Sequence, residues 1–115
     1  MIIRQASATP LDFDGLQILD YTANQPLNSS LAHIRVPPGA RHALSWSTRS
    51  TKYYYLLSGT LYFWLDREQA VLHAGDVCIV PKGQRFRYEN RSDAPVELLL
   101  FHTPSFQLEA EVFED

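Results

Sequence analysis

A single cysteine, Cys78, is present in 115 residues, which excludes an internal disulfide and any multi-cysteine zinc cluster. It sits between Val77 and Ile79 in an apolar run, the setting of a buried packing thiol rather than a nucleophile. Long apolar stretches are missing as well. The longest, around residues 96–101, is the length of a strand and contains Glu97, far short of the roughly 20 apolar residues of a bilayer-spanning helix. No extended apolar segment follows Met1 ahead of a small-residue cleavage site, so the expectation is a cytoplasmic protein that does not contact membrane. Basic residues are absent from position 93 onward, and all except Arg4 fall between Arg35 and Arg91, facing only Asp66, Glu68, Asp76 and Glu89 in that span. This basic middle forms no clustered stripe or recognisable nucleic-acid motif, so no nucleic-acid partner is expected. It suits a small anionic ligand better. Nucleophile elbows, phosphate-binding glycine loops, dinucleotide fingerprints and H-E-x-x-H helices are all lacking. Asp12 and Asp14 lie close together, but acids in an N-terminal turn ordinarily face water.

What the chain does contain is the rhythm of an all-β fold. A hydrophobic fraction of 45% and a charged fraction of 20% are those of a globular protein, and the length suits one domain. Strand-length apolar or alternating segments recur at 31–36, 53–57, 61–65, 77–80 and 96–101, separated by Pro37-Pro38-Gly39, Ser58-Gly59, Ala74-Gly75-Asp76, Pro81-Lys82-Gly83 and the stretch 90–95. Such spacing predicts a barrel or sandwich, with no long amphipathic helix and no internal repeat. Residues 1–29 read as an arm of short strands, 30–104 as the barrel core, and 105–115 as a tail. In the tail Phe106, Leu108, Ala110 and Val112 alternate with polar residues as an edge strand would.

Two stretches of the core carry a recognisable frame. Gly39 is followed by Ser45, Ser47, Lys52 and Gly59 at the intervals of G-x5-H-x-H-x4-E-x6-G, and Gly75, Pro81, Gly83, Phe86 and Asn90 fall at the intervals of G-x5-P-x-G-x2-H-x3-N. These frames, at 39–59 and 75–90, resemble the paired motifs of the cupin superfamily. The resemblance implies a single cupin-type β-barrel, a jelly-roll-like double sheet. In metal-binding cupins three histidines and a carboxylate hold one transition ion inside the barrel. The corresponding positions here are Ser45, Ser47, Lys52 and Phe86, which are not a competent donor set. The expectation is therefore no metal and no cofactor. A relocated site would have to draw on His33, His42, His73 or His102; His33 and His73 fall outside the ligand positions, and strand alternation turns His42 away from the face of Ser45 and Ser47 unless the preceding loop bends.

Alternation also predicts what fills the barrel. With Lys52 inward, Tyr54 and Leu56 share its face, while Phe86 and Tyr88 face in from another strand. Ser45, Ser47, Lys52, Tyr54, Phe86 and Tyr88 are thus the candidate ligand-binding residues of an aromatic-floored lumen. Lys52 is the sharpest of them, able to pair with an anionic ligand or an acid, or to act as base or Schiff-base nucleophile if desolvated. The leading reading is a metal-independent cupin that binds a small organic molecule, anionic or hydroxylated, in its barrel. The alternatives are a metal-free isomerase, epimerase or lyase acting on a sugar or keto acid, and a metal-dependent enzyme with relocated histidines. The packed barrel with no ligand is the bland counterpart to all three. A homodimer is expected, through one outer surface carrying Trp46, Tyr53, Tyr55 and Leu57.

Overall fold

The computed structural model describes residues 1–114. Eleven strands run through them: β1 (Thr9–Phe13), β2 (Leu16–Asp20), β3 (Ser30–Val36), β4 (Arg41–Ser47), β5 (Thr51–Ser58), β6 (Thr60–Leu65), β7 (Glu68–His73), β8 (Val77–Val80), β9 (Phe86–Glu89), β10 (Val96–Thr103) and β11 (Glu111–Phe113). They form a six-stranded antiparallel sheet in the order β1-β2-β3-β10-β5-β8 and a five-stranded sheet in the order β11-β4-β9-β6-β7, the double sheet expected of this class. No helix among the described residues is long and apolar enough to cross a membrane.

Period-two burial drives the pairing of the two sheets. Along β10, Val96, Leu98, Leu100 and His102 are buried while their neighbours face out, and Phe86 and Tyr88 do the same on β9. The inner faces meet in a core of Val36, Leu56, Leu61, Phe63, Val96 and Leu98, each no more than 1% exposed, as two half-apolar sheets require. The arm supplies β1 and β2, joined by Asp14 and Gly15, both at positive φ. That pair is the signature of a two-residue hairpin turn whose twist matches the strands, and Asp12 accepts a hydrogen bond from the Gly15 amide at 3.1 Å. The tail is less regular than its alternation suggests. A 3-10 turn at Leu108–Ala110 leaves only β11 as strand, paired to β4 at the edge of the smaller sheet.

Two motif residues hold loops against this core. Asn90 is fully buried; its amide donates to the Val36 and Ala94 carbonyls at 3.0 and 2.8 Å, and its oxygen accepts from the Ser92 amide and hydroxyl. Nothing polar on it is left unpaired, as a buried amide demands. Gly59 sits at φ +91° in the turn between β5 and β6, and a Cβ there would lie 2.8 Å from Val96 Cγ2 and 3.1 Å from the Pro95 carbonyl oxygen. Gly75 has nearly the same φ, +92°, with open space around it. The two positions separate backbone strain from close approach. Gly75→Ala is expected to cost about 1 kcal/mol, the strain of a side chain at positive φ alone. Gly59→Ala adds a clash that backbone cannot relieve and should cost roughly 2–4 kcal/mol. Urea denaturation of the two variants checks this; equal losses would show that the approach of β10 to the turn is not a constraint.

Candidate functional site

The inner faces do not close completely. A cavity of about 220 Å³ remains at one end of the barrel, walled by β1, β2, β3, β5 and β10 on one side, β4 and β9 on the other, and the segment from Phe106 to Phe113. Two of its lining residues, Tyr54 and Tyr88, belong to an aromatic cluster. Tyr54, Phe63, Phe86 and Tyr88 pack ring to ring at 5.3–6.0 Å, edge-on, tilted or stacked, the spacing that favours quadrupole-matched contact. Of the six candidates from sequence, Lys52, Tyr54 and Tyr88 line this cavity. Ser45, Ser47 and Phe86 do not line it, though all three are buried. Ser47 Oγ accepts from the Arg49 and Ser50 amides at 3.1 and 2.9 Å and so secures the turn into β5, while Phe86 lies under the Lys52 ammonium, 5.1 Å from its ring centre.

The decisive group on Lys52 is one that sequence spacing gives no hint of. Glu111, from the first position of β11, forms an ion pair with the Lys52 ammonium; the two side chains are 3% and 5% exposed. A lysine this deep loses hydration, and that loss lowers its pKa, partly offset by the charge and hydrogen bond of Glu111. Removing either partner would strand the other charge in the interior, typically a loss of about 3–5 kcal/mol. Lys52 is therefore engaged by the chain itself, through a tail whose alternation predicts only an edge strand.

Two histidines also reach the cavity. His42, expected to face away, faces in: β4 and β9 slip register between His42 and Ser45. One extra residue on β4 there makes a bulge, and a bulge reverses the alternation on which the outward expectation rests. Its ring packs 5.0 Å from Phe86 and 5.1 Å from Tyr88. Its Nδ1 lies 2.7 Å from the Ala43 carbonyl oxygen. A carbonyl can only accept, so Nδ1 carries a proton. His102 lies opposite Lys52 in the β10–β5 ladder. Burial and the Lys52 charge lower its pKa to about 3, so the ring is neutral at physiological pH. Its place was legible, since it continues the inward series of Leu98 and Leu100.

Several buried polar atoms have no hydrogen-bond partner among the described residues, Tyr88 Oη, His102 Nε2 and Ser45 Oγ among them. The phenols of Tyr54 and Tyr88 are pushed well above the usual tyrosine range by burial, so both remain protonated. An orphaned buried polar atom costs stability unless something meets it, and here Tyr88 and His102, which carry two of the three, line the cavity.

The metal expected of many cupins does not fit this lining. At its positions are a serine with an unpaired hydroxyl, a serine that caps a turn, a lysine paired to Glu111, and a phenylalanine. Among the described residues no three histidine, cysteine, aspartate or glutamate side chains converge to hold an ion. The other two histidines lie elsewhere: His33 pairs with Glu97 at 2.9 Å, and His73, largely exposed, sits 3.9 Å from Asp76.

Comparison with known proteins agrees with this architecture. The chain is 32% identical over 74 residues to the tetracenomycin polyketide synthase protein TcmJ of Streptomyces glaucescens; the match covers 64% of this chain but half of TcmJ. It is 29% identical over 89 residues to the MJ1618 protein of Methanocaldococcus jannaschii, covering 76% and 71% of the two chains. Among solved structures, Streptomyces Pac13 with uridine superposes with a TM-score of 0.86 at 22% identity, over 99% of this chain and 90% of that one; Pac13 is described as a nucleoside dehydratase. A predicted oxalate decarboxylase of Thermotoga maritima superposes with a TM-score of 0.80 at 21% identity, over 90% and 99%. The Cupin domain profile matches residues 32–102, more than half of the chain and the span of both motif frames, and on that match, with the double sheet that carries it, the chain belongs to the cupin family.

Proposed function

We propose that this cupin binds a small hydroxylated organic molecule in its barrel without the help of a metal. The observation that carries the reading is the pair of orphaned buried groups, Tyr88 Oη and His102 Nε2, at a cavity lined mostly by apolar side chains. A few convergent polar atoms in an apolar pocket are the makeup of a small-molecule site, and a ligand hydroxyl or carbonyl satisfies both atoms. Of the two ligand types raised by sequence, the hydroxylated one is favoured over the anionic. Glu111 offsets the Lys52 charge, His102 is neutral, and the phenols are protonated, so none of these groups offers an anion an uncompensated cation.

A second reading, metal-free proton transfer as in an isomerase or lyase, draws on His42. Its ring, held by the Ala43 carbonyl, packs against Tyr88, a protonated phenol; an imidazole and a phenol on one wall are residue types that serve enolisation or loss of water next to a carbonyl. The Pac13 structures with uridine are of variants in one histidine and in two tyrosines, the residue types that His42, Tyr54 and Tyr88 bring to this cavity.

The chain is further proposed to pair with a second copy through the outer face of the six-stranded sheet, where Tyr55, Leu57, Val77, Ile79 and Phe101 are each 39–50% exposed. The expectation that Trp46 shares this surface is corrected: β4 belongs to the other sheet, and Trp46 packs there under Arg85. An apolar patch of this kind on β5, β8 and β10 is self-complementary about a two-fold axis.

Three measurements follow. A saturation-transfer NMR screen of hydroxylated metabolites should give ligands that bind equally before and after chelator treatment and that lose about tenfold in affinity to Tyr88→Phe; hits indifferent to Tyr88 would place binding outside the lumen. Because His102 protonates at about 3 when folded but near 6.5 when unfolded, the unfolded state binds the extra proton between those values. Stability should hold above pH 6.5 and fall as the pH drops toward 3, and His102→Phe should flatten that slope in urea titrations across the range. Sedimentation at micromolar concentration should give a dimer that Tyr55→Glu converts to monomer; a monomeric wild type would remove the pairing.

A further inference from the structure

The lining of the cavity is sorted by wall, and we infer from that sorting that the ligand is a flat, largely apolar ring compound carrying its hydroxyl and carbonyl groups on one side, a hydroxyaryl ketone in class, rather than a sugar or nucleoside. The inference rests on the barrel-binding reading above and names the chemistry of what is bound. Every side chain that can hydrogen bond comes from β4, β5, β9, β11 or the end of β10: the orphaned Tyr88 and His102, the Lys52–Glu111 pair, Tyr54 and His42. The wall made by β1, β2 and β3 contributes Leu11, Phe13, Leu16, Ile18 and Ile34 and nothing polar. The backbone of β2 and β3 is occupied too, since each of these strands pairs on both sides.

A ligand filling the cavity must lay one end on each wall. A pentose or nucleoside is polar around its whole rim, so hydroxyl or imide groups would be pressed against β1–β3 with no partner. Each such group costs roughly ten- to a hundredfold in affinity. A flat hydrocarbon ring gains there instead. Where this wall meets β4 and β11, Phe13 lies 5.5 Å from Phe113 and 6.0 Å from the His42 ring, presenting aromatic edges and faces to a planar guest. The size agrees: about 220 Å³ is below the roughly 300–1,000 Å³ of sites for drug-sized ligands, room for one or two fused rings. The polar wall then meets the head group, with Tyr88 donating to a carbonyl and His102 Nε2 facing a hydroxyl.

The test is titration calorimetry of the full chain with 2-hydroxyacetophenone, uridine and ribose. The aryl ketone should bind at least roughly tenfold tighter than the other two. Ile18→Asn, a change at a half-buried position whose folding is checked by circular dichroism, should weaken the aryl ketone by about tenfold and leave uridine unchanged or improved. Tyr88→Phe should weaken it by a similar factor from the opposite wall. Uridine or ribose binding as tightly as the aryl ketone overturns the inference and leaves barrel binding standing. Aryl-ketone binding that neither substitution affects overturns it as well, by placing the compound on the outer sheet face. Failure of all three compounds to bind at millimolar concentration also overturns it, while barrel binding is decided separately by the metabolite screen.

Discussion

A lysine buried to 3% exposure must be paired, and the pairing of Lys52 with Glu111 organises the open end of this barrel. The acid comes from the last strand, so satisfying one charge on β5 draws the C-terminal segment across the cavity. Phe106, Leu108 and Phe113 arrive with it as wall. In a metal cupin an ion at the centre ties opposing strands together through its ligands; here a charge pair ties β5 to β11. The arrangement is asymmetric in its consequence, because a pair that is tolerable intact becomes costly when either member is lost.

The same pair sets the electrostatics of the lumen. With its cation compensated, its phenols protonated and His102 held neutral by burial and by Lys52 itself, the cavity is polar on one side without being charged overall. Recognition there falls to hydrogen bonds and shape, and unpaired donors and acceptors penalise a mismatched ligand more than any charge attracts a matched one. His42 adds the only inward reach from β4 beyond the serines, and it does so through a bulge. Without that extra residue in the strand the ring would point to solvent, and the cavity would lose the aromatic edge that links Phe13, Phe86, Tyr88 and Phe113.

The outer faces follow different rules. On the five-stranded sheet arginines cover the aromatic rings: Arg87 lies 3.7 Å from the Trp64 ring centre and Arg91 4.7 Å from that of Tyr62. Guanidinium stacking shields those rings from water while keeping the surface soluble. On the six-stranded sheet Tyr55, Val77, Ile79 and Phe101 have no such cover, which is why the two faces are assigned different roles.

The amino-acid sequence by itself determined what depends on local geometry. Strand alternation fixed the inward faces of β5, β9 and β10 and hence Lys52, Tyr54, Phe86 and Tyr88, and the glycine, proline and asparagine frame fixed the turns between them, since positive φ and a buried amide leave few other residue choices. The departures of Ser45, Ser47, Lys52 and Phe86 from the metal-ligand pattern were equally plain, because donor chemistry belongs to the side chain and needs no fold to be read. Only the tertiary structure decided the rest. Glu111 lies 59 residues from Lys52 along the chain, and no periodicity spans that distance. The inward turn of His42 depends on a register shift, which a single strand's pattern cannot reveal because the shift exists only relative to its neighbour. The separation of Trp46 from Tyr55 depends on which sheet each strand joins, and the apolar wall of β1–β3 exists because the arm folds onto β3. Those are choices of long-range pairing, settled by which combination buries the most apolar surface while leaving the fewest polar groups unpaired.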